Sequence, residues 1–447
     1  MNLSAKSFAL FKRDVFLFVT NLITSVVVAR TLGPSALGLW VILQMILGYA
    51  ESFGRMKWDI AAVYFLGKKK HEIGDVVFTL NALAIITSLL IIALVLWRFE
   101  WLYQVLFAKS EADVRVFMYV ILPQIPLQFL SLNYSYLYIF REDVKTYNRI
   151  VIIKSLTSSI VGITLLVVFK LGLLGLVVSS LLSVLLGLLY GVARFGRTGK
   201  IRTVINVPLI KDLFSYGFIL YLTGIVAQLN AYVTRLIVVF YLPTAQVAYF
   251  AMAQNQGQLL NKVPDALNVL LYPRISKMEC NDDSARLAAR SFRVVLVILL
   301  ALGCAAFVVI APVVELLYGR AFLVMVVPFR IILPGLVLSG AATVIGQYFP
   351  GIGRADISAK IAIAPLVIQI TGGVLLIPTM GLIGAALAFL FSLVSLALIQ
   401  VFMFLRISTC TARTDLVVRK NDVQVVATFV ISEMRKVFSD IATSRRC

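Results

Sequence analysis

The side chains best placed to do chemistry in this chain are charged groups set inside long apolar runs. Arg235 stands between Val233 and Leu236-Ile237-Val238, and Lys154 lies about two turns into the run 147–169. Lys262 and Asp265 are three apart in the run 243–268, a spacing that lets them pair on one helix face. Glu51 sits in 36–56, Arg55, Lys57 and Asp59 lie at the end of that run, and Arg30 closes the run before it. A charge at the centre of a bilayer costs about 2.5–3.5 kcal/mol on insertion scales, so each of these residues is a functional candidate by default. The chemistry they offer is reversible binding rather than bond-making. The forked guanidinium of Arg235 suits an oxyanion; the competing use is an end-of-helix arginine reaching the outer interface. Lys154, Arg30, Arg55, Lys57, Lys262 and Arg330 carry the same choice between ligand binding and a structural or interfacial charge. Glu51 and Asp265 are the acids available to neutralise a cation or couple an ion. Asn21, Thr24, Gln44, Thr234 and Gln254 add uncharged hydrogen-bonding groups, whose other use is to join helices within one bundle.

Other chemistries lack their residues. His71 is the only histidine and follows Lys68-Lys69-Lys70, which reads as a solvated charge run without metal-binding capacity. Cys280, Cys304, Cys410 and Cys447 form neither a metal pair nor a CxxC motif. A GxxxxGKS phosphate loop is absent, which disfavours direct ATP hydrolysis. Neither an enzyme nor a cofactor is expected. The net charge of +20 arises in short connections between apolar runs, without stacking aromatics interleaved, so no nucleic-acid partner is expected.

The elements that must position these residues follow from hydropathy. Hydrophobic residues make up 61% of the 447, charged residues 14%, and the mean hydropathy is +0.97. A soluble chain averages about 45–50% apolar and about 25% charged residues, so this composition predicts an all-α integral membrane protein. A ruler of roughly 20 apolar residues per crossing places twelve transmembrane helices near 14–30, 36–56, 75–97, 115–139, 147–169, 171–193, 213–239, 243–268, 290–312, 323–349, 356–378 and 381–405. Both termini are expected in the cytoplasm, because about thirty Lys and Arg then fall inside and about six outside. The start, Met1 to Asp14, reads as retained rather than as a cleaved signal.

Landmarks recur in one order at nearly constant offset. Thr24, Leu32 and Gln44 meet Thr234, Leu242 and Gln254 at 210; Ile121-Leu122-Pro123 meets Ile332-Leu333-Pro334 at 211; Arg141 and Asp143 meet Arg354 and Asp356 at 213; Gly172-Leu-Leu-Gly175 meets Gly381-Leu-Ile-Gly384 at 209. This predicts two pseudo-symmetric six-helix lobes, 1–205 and 206–406, inserted the same way up with a cleft between them. The tail 407–447 carries Val423, Val426, Val430, Met434, Val437 and Ile441 at helical steps, the pattern of an amphipathic helix on the cytoplasmic membrane face or against the bundle.

Three stretches resemble the polysaccharide-exporter branch of the multidrug/oligosaccharidyl-lipid/polysaccharide exporter superfamily, the Wzx-type O-antigen flippases, with a MATE-like fold. They are Val28-Ala29-Arg30-Thr31-Leu32-Gly33-Pro34 with Ala36-Leu37-Gly38; Val247-Ala248-Tyr249 through Gln254 to Tyr272-Pro273-Arg274-Ile275-Ser276; and Pro312, Leu317-Tyr318-Gly319, Phe322, Gly353-Arg354 and Gly381 to Ala386. In the seventh helix Thr234 stands where such proteins often carry an acid. The resemblance implies a bacterial inner-membrane flippase for a polyprenyl-diphosphate-linked oligosaccharide. The cationic residues would then line an alternating-access cleft, and a polysaccharide polymerase and chain-length regulator would be partners beside membrane lipids. The competing expectation is a cation-coupled exporter of drugs or metabolites.

Overall fold

The computed structural model describes residues 3–68, 70–110, 113–196, 207–278, 281–408 and 416–417. Every regular element among them is helical. Long apolar runs allow nothing else short of a closed barrel, because backbone polar groups in hydrocarbon must find partners within their own segment. The proposed tail helix over 423–441 lies outside the described residues.

The chain gathers into two compact units, Met1–Tyr249 with Leu317–Phe322, and Phe250–Leu316 with Leu323–Cys447. The first contains α1 (Leu3–Gly54), α2 (Trp58–Gly67), α3 (Ile73–Trp97), α4 (Phe99–Phe107), α5 (Arg115–Ile121), α6 (Gln124–Phe140), α7 (Val144–Ile163, prolonged by a π turn over Thr164–Val168), α8 (Leu173–Gly196) and α9 (Val207–Tyr241). Its core packs Trp58, Phe65, Tyr134, Tyr138 and Phe195 against Leu209 and Leu213 of α9. α10 (Thr244–Gly257) starts in this unit and runs into the second. The second unit continues with α11 (Lys262–Ile275), α12 (Asn281–Tyr318), α13 (Val326–Gly346), α14 (Tyr348–Gly351), α15 (Ala355–Ile361) and α16 (Ile363–Ile407). Phe292, Tyr348, Phe349 and Phe404 anchor its core.

Nine helices among the described residues are long and apolar enough to cross a membrane. They do not establish the expected count of twelve. The runs expected at 14–30 and 36–56 form one element, α1, bent at Gly33, and those expected at 356–378 and 381–405 are joined through α16, bent at Gly381. The run expected at 243–268 is not one helix. A 3-10 turn over Gln258–Asn261 divides it into α10 and α11. Its polar side chains hold its hydropathy below that of the neighbouring helices.

Two sequence landmarks acquire a physical reason. Gly38 lies so close to the Thr244 carbonyl that a Cβ would collide with backbone, so α1 and the start of α10 meet through a glycine. Gly172 and Gly381, paired at offset 209, have φ of 58° and 57°, a left-handed turn that an L side chain resists. A second pair shifts by two residues. Asp143 N–H donates to Tyr138 O (3.0 Å) as Arg354 N–H donates to Phe349 O (2.8 Å), and Glu142 and Gly353 are both left-handed. The backbone match therefore runs at 211, as for Ile121-Leu122-Pro123, rather than at the 213 of the Arg and Asp letters.

Candidate functional site

In the first unit three helices bring charges together. α1 ends at Gly54, and Met56 and Lys57 are both left-handed (φ 46° and 56°) before α2 begins at Trp58. This break throws Arg55 between two acids. Its guanidinium lies 3.2 Å from Glu51 Oε1 and 2.7 Å from Asp59 Oδ2. The Arg55 and Asp59 side chains are almost wholly enclosed, whereas Glu51 is about one-third exposed (9%, 2% and 36%). The guanidinium also lies over the Tyr136 ring, 5.7 Å from its centroid. From α6, Gln128 donates through Nε2 to Glu51 Oε2 at 3.4 Å and accepts through Oε1 from Lys154 Nζ at 3.2 Å. Lys154 donates further to Ser131 Oγ at 3.5 Å. One continuous chain thus runs Lys154–Gln128–Glu51–Arg55–Asp59, with two cations and two carboxylates. Asn21 accepts from Ser155 Oγ at 3.3 Å, and both line a cavity of about 470 Å³ with Lys154, Tyr136 and Tyr147.

Arg235 stands apart from this chain. It is buried on α9, with its guanidinium 5.5 Å from the Tyr232 ring centroid, and Tyr49 meets Tyr232 edge-on. An arginine set among rings and only 8% exposed is not one reaching out from a helix end. Lys57 runs along α9 where Gly224 leaves room; a Cβ there would lie 2.8 Å from Lys57 Cε. Arg30 is exposed and donates from Nε to Leu317 O at 2.7 Å. Arg330 donates to Phe307 O and lies over the Phe307 ring. Thr24 is half-buried and donates to Thr20 O within its own helix, whereas Thr234 is fully buried. Gln44 is half-buried and Gln254 fully buried. Members of each repeat pair therefore occupy different surroundings.

Two expectations need correcting. Lys262 and Asp265 do not pair within 4 Å; both are exposed and line a second cavity, of about 450 Å³. His71 is not a solvated residue of a charge run. Its ring is 7% exposed, packs edge-on to Phe65 and meets Asp212 Oδ2 at 3.0 Å, with Lys70 Nζ 2.7 Å from the same oxygen. Asp212 is 141 positions away, at the start of α9, so the loop's own composition held no sign of this partner. Outside the spans two carboxyls sit below the usual carboxylate range. For Asp212 the hydrogen bond from Lys70 does most, followed by that from His71. For Asp143 burial pushes upward, and hydrogen bonds from the Thr146 side chain and backbone outweigh it.

Residues 27–327 match the family described as polysaccharide biosynthesis protein. The chain belongs to that family. A curated relative, the "putative O-antigen transporter" of Shigella flexneri, is 22% identical over 396 residues, 85% of this chain and 92% of that protein. Among solved structures, the lipid II flippase MurJ in an inward closed conformation superposes with a TM-score of 0.75 at 16% identity, over 96% of this chain and all of that one (100%). An inward-facing multidrug resistance MATE family transporter of the MOP superfamily gives 0.72 at 16% identity, over 90% and 94%. At such identities the likeness establishes the fold: an all-helical membrane protein of the MurJ and MATE kind. In this family member Gln128, Ser131 and Tyr136 join the charged group without carrying a charge themselves. Gln128, the link between Lys154 and Glu51, is a polar residue in an apolar run, and that is the signal the sequence offers for it.

Proposed function

We propose that the chain flips a polyprenyl-diphosphate-linked oligosaccharide, an O-antigen or other surface-polysaccharide repeat unit, across the bacterial inner membrane. The observation that carries this reading is membership of the polysaccharide biosynthesis family on a flippase-type fold. Sugars and a diphosphate cannot cross about 30 Å of hydrocarbon unaided, because their hydroxyls and charges would lose water without replacement. Alternating access along a cationic path supplies the replacement while the lipid tail stays in the bilayer. In this proposal Arg235 and Lys57 meet the diphosphate, Arg55 and Lys154 set the local field, and Glu51 is the group that responds to an ion gradient. The lobes are 1–205 and 206–406, both termini are cytoplasmic, and a polysaccharide polymerase and chain-length regulator receive the product.

The competing exporter of drugs or metabolites wants acids free to take a cation. In the first unit the enclosed Asp59 is engaged by Arg55 and is not free to take one, which favours the flippase. Deleting the gene decides between them: lipid-linked repeat units are expected to accumulate in the cytoplasmic leaflet. Normal delivery to the outer leaflet would sink the proposal. Replacing Arg235 with Gln is expected to lower transport at least tenfold, a loss of about 1.4 kcal/mol; unchanged transport would remove Arg235 from the path.

A further inference from the structure

The polar residues of α10, the 3-10 turn after it and α11 fall in a register that the flippase reading leaves without a ligand. Asn255, Gln258, Lys262 and Asp265 follow at steps of three, four and three, so they form one stripe along the divided helix. All four are exposed, and all four line the cavity of about 450 Å³ with Asn261 and Thr343. That volume lies within the roughly 300–1,000 Å³ of small-molecule sites. A stripe of amides and charges cannot face lipid without losing hydrogen bonds, so it faces a hydrated space.

We propose that this stripe is a subsite for the uncharged, hydroxyl-bearing part of the cargo's glycan; the proposal rests on the flippase reading. Its formal charge sums to zero, Lys262 against Asp265. Primary amides both donate and accept, as sugar hydroxyls do. The wall behind keeps acceptors that nothing meets. Asn268 Nδ2 donates to Thr343 Oγ1 (3.4 Å), which donates to Gly340 O (2.7 Å). The Oδ1 atoms of Asn261 and Asn268 are buried and receive no hydrogen bond. Such oxygens call for O–H or N–H donors. A hydroxyl or acetamido group supplies them; a diphosphate, which only accepts, does not. The subsite therefore selects sugar and leaves the anion to the arginines and lysines elsewhere.

The test uses the full chain in lipid nanodiscs with two probes, undecaprenyl diphosphate alone and the same lipid bearing a neutral di-N-acetylhexosamine. The sugar-bearing probe is expected to bind about tenfold more tightly, the worth of one or two net hydrogen bonds. The double variant Asn255→Ala/Gln258→Ala is expected to abolish that difference and leave the bare probe's affinity unchanged, which also reports an intact fold. In a separate variant, Gln258→Cys, the sugar-bearing probe alone should slow thiol labelling. Equal affinity of the wild type for both probes, or discrimination that survives the double variant, overturns the subsite and spares the flippase. Discrimination that appears only with sodium in place of choline assigns the cavity to a cation and overturns the subsite too. Binding of neither probe overturns the flippase reading and the subsite with it.

Discussion

The first unit and the second hold polar groups by opposite means. In the first, Arg55 and Asp59 are enclosed and locked to Glu51, Gln128 and Lys154. In the second, Asn255, Gln258, Lys262 and Asp265 are exposed along a cavity, and the two charges do not touch. Enclosed charges must pair, since desolvation costs several kcal/mol per ion, whereas exposed ones keep water and stay available. Under the proposed function, the difference separates a field-setting device from a contact surface.

The most damaging way to break the contrast is at Arg55. Arg55→Gln strands Asp59 without a counter-charge and is expected to cost about 3–5 kcal/mol, read as a fall in melting temperature of the purified protein. Adding Asp59→Asn should restore most of that loss. Lys262→Gln, in the exposed stripe, should leave the melting temperature within about a degree, since exposed surface substitutions stay within ±0.5 kcal/mol. If the two single variants melted alike, the distinction between units would fail.

Next comes the cap of α7. Asp143 accepts from Thr146 N–H (3.0 Å) and Thr146 Oγ1–H (2.6 Å), so Asp143→Ala should cost about 1 kcal/mol in chemical denaturation. Its carboxyl, like that of Asp212, sits below the ordinary range. A depressed folded-state value contributes stability above the unfolded pKa of about 3.9, and that contribution is lost as pH falls through the folded value. The smallest effect is expected for Asp212→Asn: a loss of hydrogen-exchange protection at the start of α9 and around His71 at pH 7 that fades toward pH 3. A difference that grew on acidification would contradict the clamp of Lys70 and His71 on Asp212.

Much of this was legible in the sequence, and the failures have reasons. Apolar run length gave the helical membrane fold, because crossing oil leaves few alternatives. The breaks inside runs were harder. Gly33 and Gly381 bend helices without stopping them, and the Gln258–Asn261 turn looks like any polar interruption until its backbone is seen. Glu51, Arg55 and Asp59 are marked in the sequence by charge beside an apolar run, and Lys154 by its isolation. Gln128 and Asp212 are not, since their roles depend on partners 26 to 141 positions away. The spacing of Lys262 and Asp265 suits a pair, yet both side chains are exposed along the cavity instead.

The turns at Gly172 and Gly381 tie a shared motif to a shared torsion. Gly-Leu-Leu-Gly and Gly-Leu-Ile-Gly agree at three of four letters, and the first glycine of each has a positive φ, 58° and 57°. A side chain at either place would be strained, so at these two points it is the path of the chain that dictates the letter.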